Sequence, residues 1–544
     1  MAETQKNIKS KNTRKSQRKC KTNRNSRNSK QTKKFDEDFE SMERDSSSLD
    51  TGSHNDPAWY TTGPNGSIPF NLPFSDRLGE PIQLNAGPVG QAGVIASNTV
   101  PAMPGIMVIP IAPTFGQATQ NMDPINISVF KLHAALRYGQ AYSHTYDAAH
   151  LAYHLIAADS AMMLLEYWKR LYGLLRYYSS NNRYFPEDFL RAMGIEPSTF
   201  LGSNFDAVRE YINHLVDALS VIKVPKDWTF FKRHQYMMST IYADNQVDKC
   251  QFYCFVPAYV YKYTITTTEA HLAATSFWQA GYYRTFTALK EFTDDIINPL
   301  VGEDDVSTMA ADFLRLYGSD GTYSWNHIDP NYSVVPMYDE PMLMQIHNCR
   351  PLMLQFNEMA TADAATWDVT QNVATGAINF VPRFTRPKTN NADILNCCFS
   401  ALVDVSNMPA NADLVAESTR LIAACALSAT DDTYTLTPYA IASDVAFEPC
   451  VFYYNASSAF NYSRMSNYTA LPDLFQWTKF NFGPIYYRLT TTTTGITRPY
   501  GIVGQIDNYA VIDHQLLERM NHNAMLSMMQ VPVLEEVKVA VAKK

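Results

Sequence analysis

The chain has 544 residues, a formal net charge of −8, 46% hydrophobic residues and 18% charged ones. That length predicts two or more domains, and the apolar fraction is that of a folded protein rather than a disordered one. No stretch of about 18 uninterrupted apolar residues occurs, which argues against a stable membrane span, and the charged N-terminus has no apolar region behind it, which argues against a secretory signal. Eight cysteines lie scattered without a regular framework and suit a reducing compartment. Tyr (33), Phe (28) and Met (22) are abundant. Tyr, Phe and Met serve interfaces as well as cores, so self-association is expected.

The net charge conceals two blocks of opposite sign. Residues 1–34 hold nine Lys and four Arg against one acid, Glu3, a net of +12. The other 510 residues hold 32 bases and 52 acids, a net of −20. The thirteen cations are Lys6, Lys9, Lys11, Arg14, Lys15, Arg18, Lys19, Lys21, Arg24, Arg27, Lys30, Lys33 and Lys34. The segment has no aromatic residue and one β-branched aliphatic, Ile8. It cannot bury enough apolar surface to offset its ordering entropy, so it is predicted to be a disordered arm when free. It also lacks the apolar face of a membrane-lying helix. A block of this kind suits sequence-independent contacts to RNA phosphates that weaken steeply in salt, without base stacking. A nuclear-localisation tract or a solubilising tail is the plainer reading of the same residues.

Residues 35–55 reverse the sign. Asp36, Glu37, Asp38, Glu40, Glu43, Asp45 and Asp50 face only Arg44, and Ser46 to Ser48 follow. This is an acidic solvated linker. Pro57 to Pro124 is rich in Pro and Gly with short apolar pieces, such as Ile106 to Ile111. It reads as an irregular extended segment draped over other elements, in this subunit or a neighbour.

Helices are predicted next. Thr145 to Tyr178 carries an apolar band wide enough for burial on most sides, with Gly173 as its weak point. Ser203 and Asp206 start a second helix, with Val208, Ile212, Leu215, Leu219 and Ile222 on one face. A third is expected over Glu269–Phe292 behind Thr268, and a fourth over Val306–Tyr317, stopped by Gly318. Ile394–Val405 and Ala446–Tyr454 fit buried strand or helix equally, and Ile485–Ile496 favours strand. Ile512, Leu516, Met520, Ala524 and Met528 make a final helical stripe. After Pro532 the period becomes two, with Val533, Val537, Val539 and Val541 on one face. Such a strand can dock on its own domain or add to a neighbour's sheet.

Few residues suggest chemistry. His150 and His154 share a helix face, but Leu151 stands where a metalloprotease needs Glu, so packed or interface histidines are expected. Cys250, Cys254, Cys397 and Cys398 lack zinc spacing and read as inert thiols among Phe252, Phe255 and Phe399. Lys169, Arg170, Arg176 and Arg183 suggest a basic surface or, more simply, a solvated helix face. Gly302 to Asp305 superficially matches a polymerase turn, but its acids are better placed to favour the start of the next helix. No phosphate-binding loop, dinucleotide fingerprint or nucleophile elbow is present.

The order of features, with Ala134 to Tyr142, the long helix to Tyr178, Asn182 to Pro186 and Leu190 to Ile195, resembles the picobirnavirus capsid proteins; partitivirus coat proteins are similar in plan. The resemblance implies a mainly α fold with some β: a large helical shell domain, an inserted projecting domain and a disordered basic arm. On this chain that maps the shell to 56–230 and 440–544 and the projection to 231–439. It further implies homodimers with exchanged segments that close a T=1 icosahedral shell around double-stranded RNA. Assembly in the host cytoplasm, a final location in the virion, no cofactor, no small-molecule substrate and no enzymatic role belong to the same picture. Some relatives remove an N-terminal peptide; Asn65-Gly66 is the one candidate position here, and no nucleophile–base pattern supports cleavage. The competing classes are a non-viral RNA-binding protein or enzyme with a basic tail, and a filament-forming nucleoprotein.

Overall fold

The computed structural model describes residues 105–529, except 139–145, 178–183, 202–203, 246–249, 266–269, 389–397, 399–400, 406–410, 431, 455–458, 466–479, 485, 493–494 and 504–507; for 486–503 only the backbone is described. All belong to one unit, Pro73–Lys544. The arm, the acidic linker, Asn65-Gly66 and the Val533–Val541 segment lie outside the described residues.

Strand β1, Ile106–Pro113, is buried throughout. For Ile106–Pro113 the draped, irregular reading is therefore corrected; residues 57–104 of that segment lie outside the described residues. β1 is a central strand of a six-stranded sheet, because the run Ile-Met-Val-Ile-Pro-Ile is apolar on both faces. Its two prolines are tolerated for a local reason. On one side β1 pairs first with Cys450–Tyr454 and then with Asp444–Ala446, and the partner changes opposite Pro110. The Pro110 carbonyl accepts from Phe447 N at 2.8 Å toward that same side. The missing N–H of Pro110 thus falls at a break in the ladder.

Helix α1 is Pro124–Arg137 and helix α2 is Ala148–Arg176. α2 runs unbroken for 29 residues, with Asp147 accepting from His150 N at its start. It is long and apolar enough to cross a membrane, yet 94% of its most apolar window is buried inside the body. Gly173 does not break it. Val334 N donates to the Gly173 carbonyl at 3.3 Å, and a Cβ at this position would sit 2.5 Å from Val334 Cγ2. Glycine lets the segment before Met337 lie against the helix. Trp168 anchors the other side, donating to Thr293 Oγ1 at 2.9 Å among Phe200, Tyr211 and Phe286.

Helices α3 (Phe185–Ala192), α4 (Asn204–Leu219) and α5 (Thr229–Ser239) follow, and α4 buries the predicted face. Then come β2 (Tyr242–Ala243), β3 (Phe252–Pro257), β4 (Tyr259–Ile265) and β5 (Ala270–Ser276). β3 runs parallel to β1, with Ile106 opposite Phe252, and β2 lies at the sheet edge. β5 corrects the expected helix over Glu269–Phe292. Ala270–Ser276 pairs antiparallel with the tyrosine-rich β4, Leu272 opposite Tyr263, and cross-strand packing overrides the helical preference of Ala and Leu. Gly281, at φ 76°, separates this strand from helix α6, Phe286–Val301, which is capped by Thr285. Helix α7, Asp304–Gly321, breaks at Gly318 (φ 72°), as predicted.

Helix α8, Glu340–His347, leads into the second half. There β6 (Thr370–Asn372) and β7 (Ala377–Asn379) form a hairpin, and β8 is Phe384–Pro387. Strand β9 (Ala401–Asp404), helix α9 (Ala412–Ser418) and strands β10 (Ala424–Ala429) and β11 (Thr433–Ala440) follow. Strands β12 (Asp444–Ala446), β13 (Cys450–Tyr454) and β14 (Phe460–Arg464) complete the main sheet. Strands β15 (Tyr486–Thr492) and β16 (Gly495–Val503) pair, and β17 (Tyr509–Ile512) pairs with β9. Helix α10, His514–Met529, ends the described chain. Its buried stripe is Leu517, Asn521, Met525 and Met529, one position off the predicted Leu516, Met520 and Ala524; the predicted Met528 is buried as well, and Leu516 is exposed. The slip arises because Ile512 belongs to β17, not to the helix. The whole is a mixed α/β body, with more strand than a mainly α reading expects.

Candidate functional site

The thirteen cations of the arm lie outside the described residues, so their placement is not part of the geometry that follows. Among the described residues nominated in the body, none is placed in a reactive centre. His154 is fully buried, stacks on Phe313 and bonds the Lys223 carbonyl at 3.0 Å. Burial lowers its pKa to about 4 against that carbonyl's pull, which leaves it neutral. His150 stays near Asp147 at 3.6 Å. Among the described residues no group of three or more His, Cys, Asp or Glu is placed to hold a metal ion.

Two basic residues of α2, Lys169 and Arg170, correct the surface reading. Lys169 is buried on Glu166 at 3.0 Å. Arg170 is fully buried and donates to the Thr240 and Phe255 carbonyls at 3.2 and 2.6 Å, its guanidinium over the Tyr167 ring. Lys169 and Arg170 look inward because that part of α2 is surrounded, so they form neither a basic surface nor a solvated face, whereas Arg176 in the last turn is exposed and donates to Asn331 Oδ1 at 3.1 Å. Arg183 and Cys397 lie outside the described residues. Cys250 and Cys254 are buried, and burial pushes the Cys254 thiol up to about 11 despite nearby Arg170. A thiol held that high is unreactive at neutral pH. Asp304 and Asp305 occupy the first turn of α7, where they favour the helix dipole.

Three polar clusters, two buried and one half-buried, stand out instead of the nominated residues. The first joins α2, α5 and β12. His234 Nδ1 lies 2.8 Å from Asp159 Oδ2, and Nε2 lies 2.7 Å from Asp444 Oδ1. Arg233 Nε donates to Asp444 Oδ2 at 2.6 Å and its Nη2 to Gln345 Oε1 at 2.9 Å. Burial alone would raise the Asp444 carboxyl, but Arg233 and then His234 hold it well below the ordinary range.

In the second cluster Arg464 bridges Glu358 and Glu448, each at 2.6 Å, and Arg386 stands 3.5 Å from Glu358. In the third, His347 lies 2.9 Å from Asp404, and Asn348 exchanges two 2.7 Å bonds with the Asp404 backbone. Each cluster ties segments far apart in sequence. None pairs a nucleophile with a base: Ser443 Oγ donates to Asp444 rather than to His234, and it is buried. A cavity of about 160 Å³ lies beside Phe115, Gln117, Tyr439, Glu518, Asn521 and Met525. It is below the size of an ordinary small-molecule site. The arrangement holds segments distant in sequence together.

The surface carries exposed apolar groups suited to contact with other chains. Tyr236, Val335, Met337 and Tyr338 adjoin edge strand β2, and Met337 bonds to Ile241 and Ala243. Tyr509 and Val511, on one face of β17, are more than 60% exposed, with Leu516 just beyond. Sequence reasoning missed the buried clusters. Their one visible signal was an acid, Asp159, in the middle of the apolar run of α2.

Comparison with known proteins places these features. The family model described as picobirnavirus, capsid protein matches residues 59–470. A capsid protein precursor of human picobirnavirus is 24% identical over 511 residues, covering 88% of this chain and 91% of that protein. An X-ray structure of the picobirnavirus capsid has the same fold, with a TM-score of 0.69 and 20% identity over 88% of this chain and 98% of the solved one.

Proposed function

The chain belongs to the picobirnavirus capsid protein family, and from that premise we propose how it builds the virion. It is a viral coat protein with a structural, non-enzymatic role, located in the virion. Copies associate as homodimers with exchanged segments, and the dimers close a T=1 icosahedral shell around double-stranded RNA. Residues 56–230 and 440–544 supply the shell. Residues 231–439 supply the projection, with β2 and β3 at its near end completing the shell sheet. Assembly takes place in the host cytoplasm.

The arm works inside the shell. Lys6 to Lys34 screen the packaged phosphates without reading sequence, and the acidic linker repels RNA from the body and so confines contact to the arm. The observation that carries this reading is the charge layout: +12 in 34 residues on a body of −20. Removal of an N-terminal peptide is not part of the proposal.

Electron microscopy of the expressed full-length chain tests the container. Closed shells of one diameter are expected. Monomers or small oligomers would favour the RNA-binding or enzyme class, and open filaments would favour a nucleoprotein.

A further inference from the structure

Both ring nitrogens of His234 face a carboxylate, Asp159 at 2.8 Å and Asp444 at 2.7 Å, and all three side chains are fully buried. A neutral imidazole has a single N–H; with that proton on Nδ1 toward Asp159, the Nε2 lone pair would face the Asp444 carboxylate at 2.7 Å, a repulsion that a further proton removes. The three side chains therefore hold one additional proton, either on the ring or shared with Asp159. Both forms have the same charge, and with Arg233 on Asp444 the cluster sums to zero.

The surroundings offer no substitute for that proton. From α2 the facing acid is Asp159; Glu166, further along, is taken by Lys169 and Gln235. From α5 comes Arg233, and from the β12 segment Ser443 and Asp444. From α8 comes Gln345, whose amide binds Glu417 of α9, and Glu417 pairs with Arg420 at 3.2 Å. The Phe230 ring closes the pocket, its centroid 4.5 Å from that of His234.

We propose that Asp159, His234 and Asp444 form a proton-loaded clamp that ties the stability of the folded body to one retained proton and gives way in alkali. The titration agrees in sign. Burial would lower His234, but the Asp159 and Asp444 carboxylates raise it to about 10. Burial raises Asp159 against the pull of His234. A basic group raised in the folded state contributes fully below its unfolded value of about 6.5, and that contribution is lost as pH rises through the folded value. Asp444, lowered in the folded state, contributes above the ordinary carboxylate range and keeps doing so until the pH falls well below it.

The test compares denaturation midpoints of the full-length chain and Asp159→Asn from pH ~6 to ~10.5, a window that spans the unfolded imidazole value. Asparagine keeps a hydrogen-bond partner for His234 but removes the charge that retains its proton. The gap between the two proteins is expected to be widest near pH 6 and to close or change sign by pH 10.5. A gap that stays constant across the range would mean an ordinary packed hydrogen bond and overturn the clamp. A second measurement needs no variant: histidine hydrogen–deuterium exchange of the wild-type chain should show no titration of His234 below pH ~9, and an inflection near 6.5 would overturn the proposal equally.

Discussion

A chain lacking residues 2–34 is expected to form shells of normal size that contain no RNA. The deleted segment holds all thirteen arm cations, and the body that remains is strongly acidic. Each phosphate contact contributes through counterion release, and a protein making about six to ten of them loses about 10³–10⁵ in affinity between roughly 50 and 200 mM salt, so the deletion removes the main salt-sensitive source of RNA affinity. Lys169 and Arg170 of α2 cannot take over, because they are buried and paired inside the body, and the single exposed Arg176 does not replace thirteen cations. Shell closure should survive, because it depends on folded surfaces that the deletion does not touch. The ratio of absorbance at 260 and 280 nm and the buoyant density of purified particles measure the outcome. Truncated particles with RNA at full-length density would show that the arm is not the packaging element.

The second large effect is expected at Asp444. Its carboxylate is completely buried, accepts from Arg233 at 2.6 Å and Ser443 at 2.9 Å, and is ion-paired with His234 Nε2 at 2.7 Å. Asp444→Ala leaves a guanidinium and a protonated imidazole facing each other without their anion. Breaking a buried pair from one side costs about 3–5 kcal/mol. That is a large part of a domain's stability of roughly 5–15 kcal/mol. The three tied segments, α2, α5 and β12, should lose their mutual register, and soluble yield should fall with stability. Asp295→Asn is the matched control. Its pair with Lys262 is solvent-exposed at 2.6 Å, and exposed pairs contribute at most about 1 kcal/mol. Chemical denaturation of both variants decides the matter, and an Asp444→Ala chain that unfolds at the wild-type midpoint would contradict the role given to the cluster.

Where the fold was legible in the sequence, a local pattern and its tertiary setting agreed. α2 could be read because apolar residues surround it, and α7 because Gly318 is needed in a left-handed conformation just where the apolar period stops. β5 could not. His-Leu-Ala-Ala-Thr reads as helix by composition, and only its pairing with Tyr259–Ile265 makes it a strand. β1 was misread because prolines usually exclude a central strand, and the break that accommodates Pro110 is supplied by residues more than 300 positions away. The buried clusters were hidden for the same reason: Asp159 and His234 are 75 residues apart, and Arg233 and Asp444 are 211 apart. The arm needed no tertiary partner to be recognised, since charge density and the lack of apolar side chains are purely local properties.

The most direct measurement is ultraviolet cross-linking of intact, RNA-filled particles, followed by mass spectrometry of the nucleotide-bearing peptides. The account predicts adducts concentrated in peptides from residues 1–34 and few from the acidic body. Adducts spread along a groove of the folded body, with residues 1–34 free of nucleotide, would contradict it.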